Sequence, residues 1–210
     1  MNLYPLTFPS VFQKVFPSLL YHKSDNSKKI FLTFDDGPTE IITDWVLQEL
    51  EKYQAKATFF CIGQKIKRNP DIFQRVIDGG HQIGNHTYQH IKGWKSDIKN
   101  YVTSAMDTEK MITKYRRSSK LFRPPYGKIK MRQIKSLQEN GLKIVMWTSV
   151  SGDFSRNLNT DKVINKLSRN TKSGDILVFH DSTKAAENLK AILPDLLKKL
   201  SEKGFEFATL

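Results

Sequence analysis

Phe31-Leu32-Thr33-Phe34-Asp35-Asp36-Gly37-Pro38 is the stretch on which the reading of this chain turns. An apolar, β-branched and aromatic run ends on two adjacent carboxylates, and Gly-Pro follows at once. Successive side chains on a strand point to opposite faces, so neighbouring carboxylates inside one strand are hard to bury together. At the strand's C-terminal end, Gly37 loosens the backbone and Pro38 stops the ladder, so both can turn toward one pocket. There the charges repel unless a cation or a shared proton compensates. A solvated Asp-Asp-Gly-Pro turn reads the same way, and the rest of the chain decides between them.

Outward from that stretch, strand-like and helix-like segments alternate. Strands are expected at Ile30–Phe34, Ala57–Ile62, His81–Gly84, Leu121–Arg123, Lys143–Trp147, Asp175–Phe179 and Glu206–Leu210. Helical spacing of apolar residues runs through Ile41–Tyr53, Asp71–Asp78, Tyr101–Tyr115, Met131–Asn140, Asp161–Arg169 and Glu187–Leu200. Such alternation argues for βα units around a mainly parallel sheet, either a closed barrel or an open doubly wound sheet. A lead segment and polar linker, residues 1–29, precede one domain, 30–210.

Each informative polar cluster falls at or just after a strand end, the rim where parallel α/β folds build their sites. Gly84-Asn85-His86-Thr87-Tyr88-Gln89-His90 carries two imidazoles four residues apart. On a helical turn these share a face and can reach one metal ion. Alone the spacing is a weak signal; joined to a carboxylate from Asp35-Asp36 it leaves coordination positions open, as catalytic zinc sites do. Phe122-Arg123-Pro124-Pro125-Tyr126-Gly127 places a guanidinium before a rigid extended segment, suited to pairing with a pocket carboxylate. Trp147-Thr148-Ser149-Val150-Ser151-Gly152-Asp153-Phe154 and Gly174-Asp175-Ile176-Leu177-Val178-Phe179-His180-Asp181 complete the set. His180 ends an apolar strand, and an imidazole there can act as a general acid, its protonated form favoured by a carboxylate such as Asp153.

Composition bounds the classes of function. The chain has 210 residues, 39% hydrophobic, with a formal net charge of +13. Residues 101–210 hold 21 Lys+Arg against 11 Asp+Glu, so most of the excess lies there. Such a field favours anionic partners, but no arginine-rich arm, zinc finger or RNA-binding aromatic signature accompanies it, and no nucleic acid is expected. Lys128, Lys130, Arg132 and Lys135 follow Arg123–Tyr126 closely and are expected near the pocket rim. The single Cys61 cannot form an internal disulfide. No window approaches the ~18 apolar residues of a membrane span, and the N-terminus lacks a basic, then apolar, export leader; the expectation is a soluble, cytoplasmic protein.

Taken in order, these clusters resemble the motifs of the polysaccharide deacetylases of carbohydrate esterase family 4, the NodB-homology domain. Thr33–Pro38 looks like the family's first motif and His86–His90 like its second; Arg123–Tyr126 looks like the third and Leu177–His180 like the fifth. The resemblance spans residues 30 to 210 and implies a distorted (β/α) barrel, seven-stranded and mainly parallel, that removes N-acetyl groups from amino sugars with a divalent metal, zinc foremost. It implies Asp36, His86 and His90 as metal ligands, Asp35 as general base and His180 as general acid. Arg123 would orient Asp35, Asp153 would orient His180, and the Tyr126 backbone amide would help stabilise the oxyanion. The fourth motif departs from the family: Thr148 stands where an Asp or Ser is common, and Phe154 where a Trp is common. The partner implied is an N-acetylated glycan of chitin, peptidoglycan or poly-N-acetylglucosamine type. A deacylase or amidase of small amides would use the same machinery, and a non-catalytic binder of anionic polymer would not need it intact.

Overall fold

The computed structural model describes residues 16–23 and 27–210. Most of the lead segment and the middle of the linker lie outside the described residues.

Alternation along the first strand, β1 (Lys29–Asp35), sets the architecture. Ile30, Leu32 and Phe34 pack outward into the layer under the helices, whereas Phe31 joins a separate cluster with Phe60, Leu121, Val145 and Ile176. A sheet buried on both faces needs an apolar residue at nearly every position, which is what β1 supplies. The following strands are β2 (Thr58–Cys61), β3 (Gln82–Asn85), β4 (Leu121–Phe122), β5 (Lys143–Ile144), β6 (Ser149–Val150), β7 (Ile176–His180) and β8 (Glu206–Phe207). Seven run in the order β5-β4-β3-β2-β1-β7-β6, and β8 pairs with β1; every pairing is parallel.

The two edge strands of that path, β5 and β6, are consecutive in sequence. The extended segment that begins at Lys143 therefore runs past the end expected at Trp147 and divides into β5 and β6. Its first part bonds to β4 and its continuation to β7, with Val145 N donating to Phe122 O at 2.8 Å and Thr148 N to Ile176 O at 3.0 Å. One bent segment thus carries the sheet from one edge to the other, which curls it into a distorted barrel. The Thr148 hydroxyl helps at the bend, donating to Ile176 O and accepting from Ile176 N, each at 2.9 Å. Lower down, where β5 and β7 diverge, Leu20–Lys23 fills the gap. Leu20 bonds to both Ile144 and Met146, and Lys23 N donates to Gly174 O.

The helices are α1 (Ile42–Glu51), α2 (Gly63–Arg68), α3 (Pro70–Asp78), α4 (Ile98–Thr113), α5 (Met131–Glu139), α6 (Thr160–Asn170) and α7 (Ala186–Glu202). The six expected from periodicity are present. The short α2 has too few residues to display a period. In α7, Leu189, Ile192, Leu193, Leu196, Leu197 and Leu200 are buried at helical spacing against the outer face of the sheet.

Candidate active site

The inward parity of β1 decides what its last residue faces. Asp35 shares the barrel side of the strand with Phe31 and Thr33, and pairs in register with His180 on β7 and Phe60 on β2. Asp35 and His180 therefore arrive side by side at the same rim. Asp36 lies one step beyond, at φ 80. That left-handed backbone costs a non-glycine residue energy, and it turns the second carboxylate into the cleft that the first already faces. Thr87 (φ 62), His90 (φ 56) and Tyr126 (φ 60) hold similar conformations around the same cleft.

Asp36, His86 and His90 come together there, their candidate ligand atoms all within 4.8 Å of one another. Asp36 Oδ1 lies 3.1 Å from His90 Nε2 and 3.7 Å from His86 Nε2, yet it is buried without a hydrogen bond. Proximity without bonding geometry is the arrangement expected when lone pairs converge on a cation, and a carboxylate with two imidazoles is a donor set suited to a divalent ion. Burial opposes ionisation of Asp36, but the imidazoles of His90, His180 and His86 outweigh it and hold the carboxyl far below its ordinary range. His86 is pushed down to about 4, mainly by burial, so its ring is neutral at pH 7. Its Nδ1 sits 2.8 Å from the Arg123 carbonyl, which can only accept. The proton therefore resides on Nδ1, and the Nε2 lone pair faces the site.

Arg123 is wholly buried. Its Nη1 donates to Asp35 Oδ1 at 2.8 Å and to Thr33 Oγ1 at 2.7 Å, and its Nη2 donates to Met146 O at 2.9 Å. The guanidinium also lies 4.1 Å from the centroid of the Phe60 ring. This ion pair fixes the direction of the remaining Asp35 oxygen.

Asp153 grips His180 twice, accepting from the ring Nδ1 at 2.7 Å and from the backbone N at 2.8 Å. Burial would push the His180 imidazole down. The charge and hydrogen bond of Asp153, with Asp35 and Asp36 beyond, overcome it and push the group up to about 9. The ring is thus cationic at neutral pH, with Nε2 carrying a proton that Asp153 does not take. The edge of Phe154 meets this ring at 5.0 Å, an apolar wall where an indole would bring a donor. Tyr126 lies against His90, ring centroids 4.6 Å apart.

Other residues hold these groups in place and carry no signal in a linear reading. Asp181 is fully buried beneath the Asp35–Pro38 turn and accepts from Gly37 N at 3.0 Å and Thr43 Oγ1 at 2.6 Å. Burial raises its carboxyl to about 7 against these bonds. A Cβ at residue 37 would sit 1.9 Å from Asp181 Oδ2, so only glycine admits the clamp. Buried Glu109 accepts from Asn85 Nδ2, whose Oδ1 in turn accepts from Thr87 N and shapes the turn between the two histidines.

The cleft has a volume of about 600 Å³. Tyr126, Lys128, Thr183 and Lys184 stand exposed around its mouth. Of the four basic residues expected near the rim, only Lys128 lines it. Arg132 and Lys135 are exposed on α5 without lining the cleft, and Lys130 Nζ donates to Ser96 O at 2.8 Å. Lys65, Lys92 and Lys184 stand at the rim instead, the first on α2 and the others on loops far from it in sequence.

A peptidoglycan-N-acetylglucosamine deacetylase of Bacillus cereus is 36% identical over 188 residues, covering 89% of this chain and 88% of that protein. The crystal structure of a peptidoglycan N-acetylglucosamine deacetylase in complex with 4-naphthalen-1-yl-N-oxidanyl-benzamide superposes with a TM-score of 0.88 at 30% identity, covering 96% of this chain and 95% of that one. A CE4 family pseudoenzyme from Bacillus anthracis shares the fold at 24% identity and a TM-score of 0.79, covering 90% of this chain and 66% of that one. Fold alone therefore does not carry activity, and the argument rests on the site. The sequence model of the polysaccharide deacetylase family matches residues 22–145, more than half of the chain, and with these relatives it shows that the chain belongs to the polysaccharide deacetylase family.

Proposed function

We propose that this protein is a metal-dependent hydrolase that removes N-acetyl groups from the amino sugars of a peptidoglycan-type glycan. One observation carries the reading. A buried carboxylate oxygen without a hydrogen bond faces two imidazoles, and a guanidinium-paired Asp35 and a carboxylate-clamped His180 line the same cleft. In the proposed arrangement Asp36, His86 and His90 hold the divalent ion, zinc being the ion best suited to one carboxylate and two neutral imidazoles with positions left open. Bound there, the ion supplies Lewis-acid polarisation of the acetamide and acidifies water.

The chain's own groups supply the proton transfers. Asp35, oriented by Arg123, accepts a proton from the attacking water. His180 delivers its Nε2 proton to the amide nitrogen as the C–N bond breaks, so that acetate and a free amine leave. The Tyr126 backbone amide is assigned to the developing oxyanion. The exposed rim favours a polymer over a small amide, because a chain of sugars can lie across it without being enclosed.

Metal-loaded protein incubated with acetylated chitooligosaccharides, peptidoglycan fragments and small N-acetyl sugars tests the reading through released acetate. Turnover of the glycans is the expected result. Acetate from the small sugars alone would point to a small-amide deacylase, and none from any substrate would overturn the enzymatic reading.

A further inference from the structure

Trp94 is 60% exposed although its indole and its turn are both hydrogen-bonded to neighbouring segments. It lies in a short turn, Gly93–Lys95, and its Nε1 donates to Ile129 O at 3.2 Å. Buried Gln133 ties that turn to the segment after Tyr126. Its Nε2 donates to Gly93 O at 2.9 Å, and its Oε1 accepts from Lys130 N at 2.9 Å. A Cβ at residue 93 would lie 2.4 Å from Lys128 O, so the two loops touch backbone to backbone. The indole is thus held outward on a braced support, where a free side chain would fold down onto apolar surface.

Its neighbours are cationic. Lys128 Nζ is 5.1 Å from the Trp94 ring centroid, and Lys92 Nζ is 4.6 Å from that of Tyr126, itself 54% exposed. Neither ammonium is paired with a carboxylate among the described residues, in contrast to Lys52 and Lys110. Both line the cleft that holds Asp36 and His90, and among the described residues Asp35 and Asp36 are the carboxylates that line it. Tyr126 inside the cleft and Trp94 beside it, each with an ammonium group over its ring, match a sugar with apolar C–H faces and a negative substituent at its edge.

We propose that Trp94, Tyr126, Lys92 and Lys128 form a binding subsite for an anionic hexose, a sugar bearing a carboxylate or phosphate, next to the sugar that is deacetylated. The assignment rests on the deacetylase reading and narrows its substrate to a glycan with a charged unit beside the acetylated one. The lysines act in association and positioning, since nothing connects them to the proton transfers.

Three substrates separate the possibilities: neutral chitotetraose, a glycan whose muramic acid units carry free lactyl carboxylates, and a phosphate-substituted glycan. Removing both ammonium groups (Lys92→Gln with Lys128→Gln) should raise KM on an anionic glycan by roughly fivefold to twentyfold, the range for a pair of exposed charges. The same change should leave kcat, and KM on chitotetraose, within about twofold. Trp94→Ala should raise KM on all three, because stacking does not require charge. Whichever anionic substrate responds identifies carboxylate or phosphate as the recognised group. For the double lysine variant, an equal KM change on neutral and anionic substrates, or none on either anionic one, would overturn the subsite. Equilibrium binding to metal-loaded protein in the Asp35→Asn background separates this failure from that of the deacetylase reading. If no substrate yields acetate, a preference for anionic glycan that the two lysine changes abolish still supports the subsite, and binding without such a preference refutes it.

Discussion

Replacing Asp153 with Asn should move the alkaline limit of activity downward, and the structure gives the size of the move. Asp153 is fully buried and holds both the ring and the backbone of His180, whose imidazole is raised from 6.5 to about 9. Asn retains the shape and one accepting oxygen but removes the charge. Burial then dominates, and the imidazole should fall to its ordinary value or below. The difference, about 2.5 pH units, corresponds to roughly 3 kcal/mol between the protonation states.

In the proposed role of general acid, His180 must be protonated to act, so kcat should fall as pH rises through the pKa of that ring. A divalent ion held beside Asp36 would oppose the protonated form in parent and variant alike, so the comparison between them is the measure. Steady-state kcat from pH 5 to 10 on a chitooligosaccharide, with melting temperatures to confirm folding, is the assay. The limb should move acidward by about two units, leaving the variant weakly active at pH 8 and partly recovered at pH 6. Stability should follow the same linkage. Because the folded value lies above the unfolded one, the contribution is complete below about 6.5 and is lost as pH rises through about 9. An alkaline limb within half a unit of the parent's would refute the argument that Asp153 keeps His180 protonated.

His86→Ala or His90→Ala should sharply lower bound metal while the fold survives, because both lie beyond the strand core; undiminished stoichiometric metal in both variants would exclude them as ligands. Asp35→Asn should keep metal yet lose roughly 10²–10⁴-fold in kcat, whereas Asp36→Asn should weaken metal binding first, and metal analysis beside kinetics would reveal exchanged roles. Arg123→Met leaves Asp35 buried without its partner and should cost on the order of 3–5 kcal/mol in urea unfolding, so a loss below ~1 kcal/mol would show that the pair contributes little. Gly37→Ala places a methyl against Asp181 Oδ2, and should reduce metal affinity through displacement of the Asp35–Asp36 turn; unchanged affinity would mean that the clamp does not position the carboxylates.

Much of the site could be read in the chain because its parts are local. A strand that ends on Asp35-Asp36, a guanidinium before two prolines and an apolar strand that ends on His180 are features of a few adjacent residues. The imidazoles four apart do meet, but through a non-helical turn with Thr87 and His90 at positive φ, not through the helical turn expected. The resemblance supplied their roles, which spacing alone left open. Asp181 escaped notice because its partners, Gly37 and Thr43, lie more than 130 residues away. Glu109 escaped because a helical glutamate carries no mark of burial until Asn85 is packed against it. β6 was missed because two residues have no period, and only the pairing partner divides the bent segment into two strands.

The sequence by itself determined the order of the strands and helices long enough to show a period, the position of the reactive groups at or just after strand ends, and the excess of positive charge. Those properties depend on which residues adjoin one another along the chain. Tertiary structure alone decided that Asp35 meets Arg123 while Asp36 meets the imidazoles, because inward parity and register on β1 assign each carboxylate its neighbours across the barrel. It also decided where the charge acts. Arg132 and Lys135 are exposed on α5 outside the cleft lining, while Lys65, Lys92, Lys128 and Lys184 line the cleft. A count of lysines is a property of the chain, but the field at the site depends on distances between elements remote in sequence, and only folding sets those.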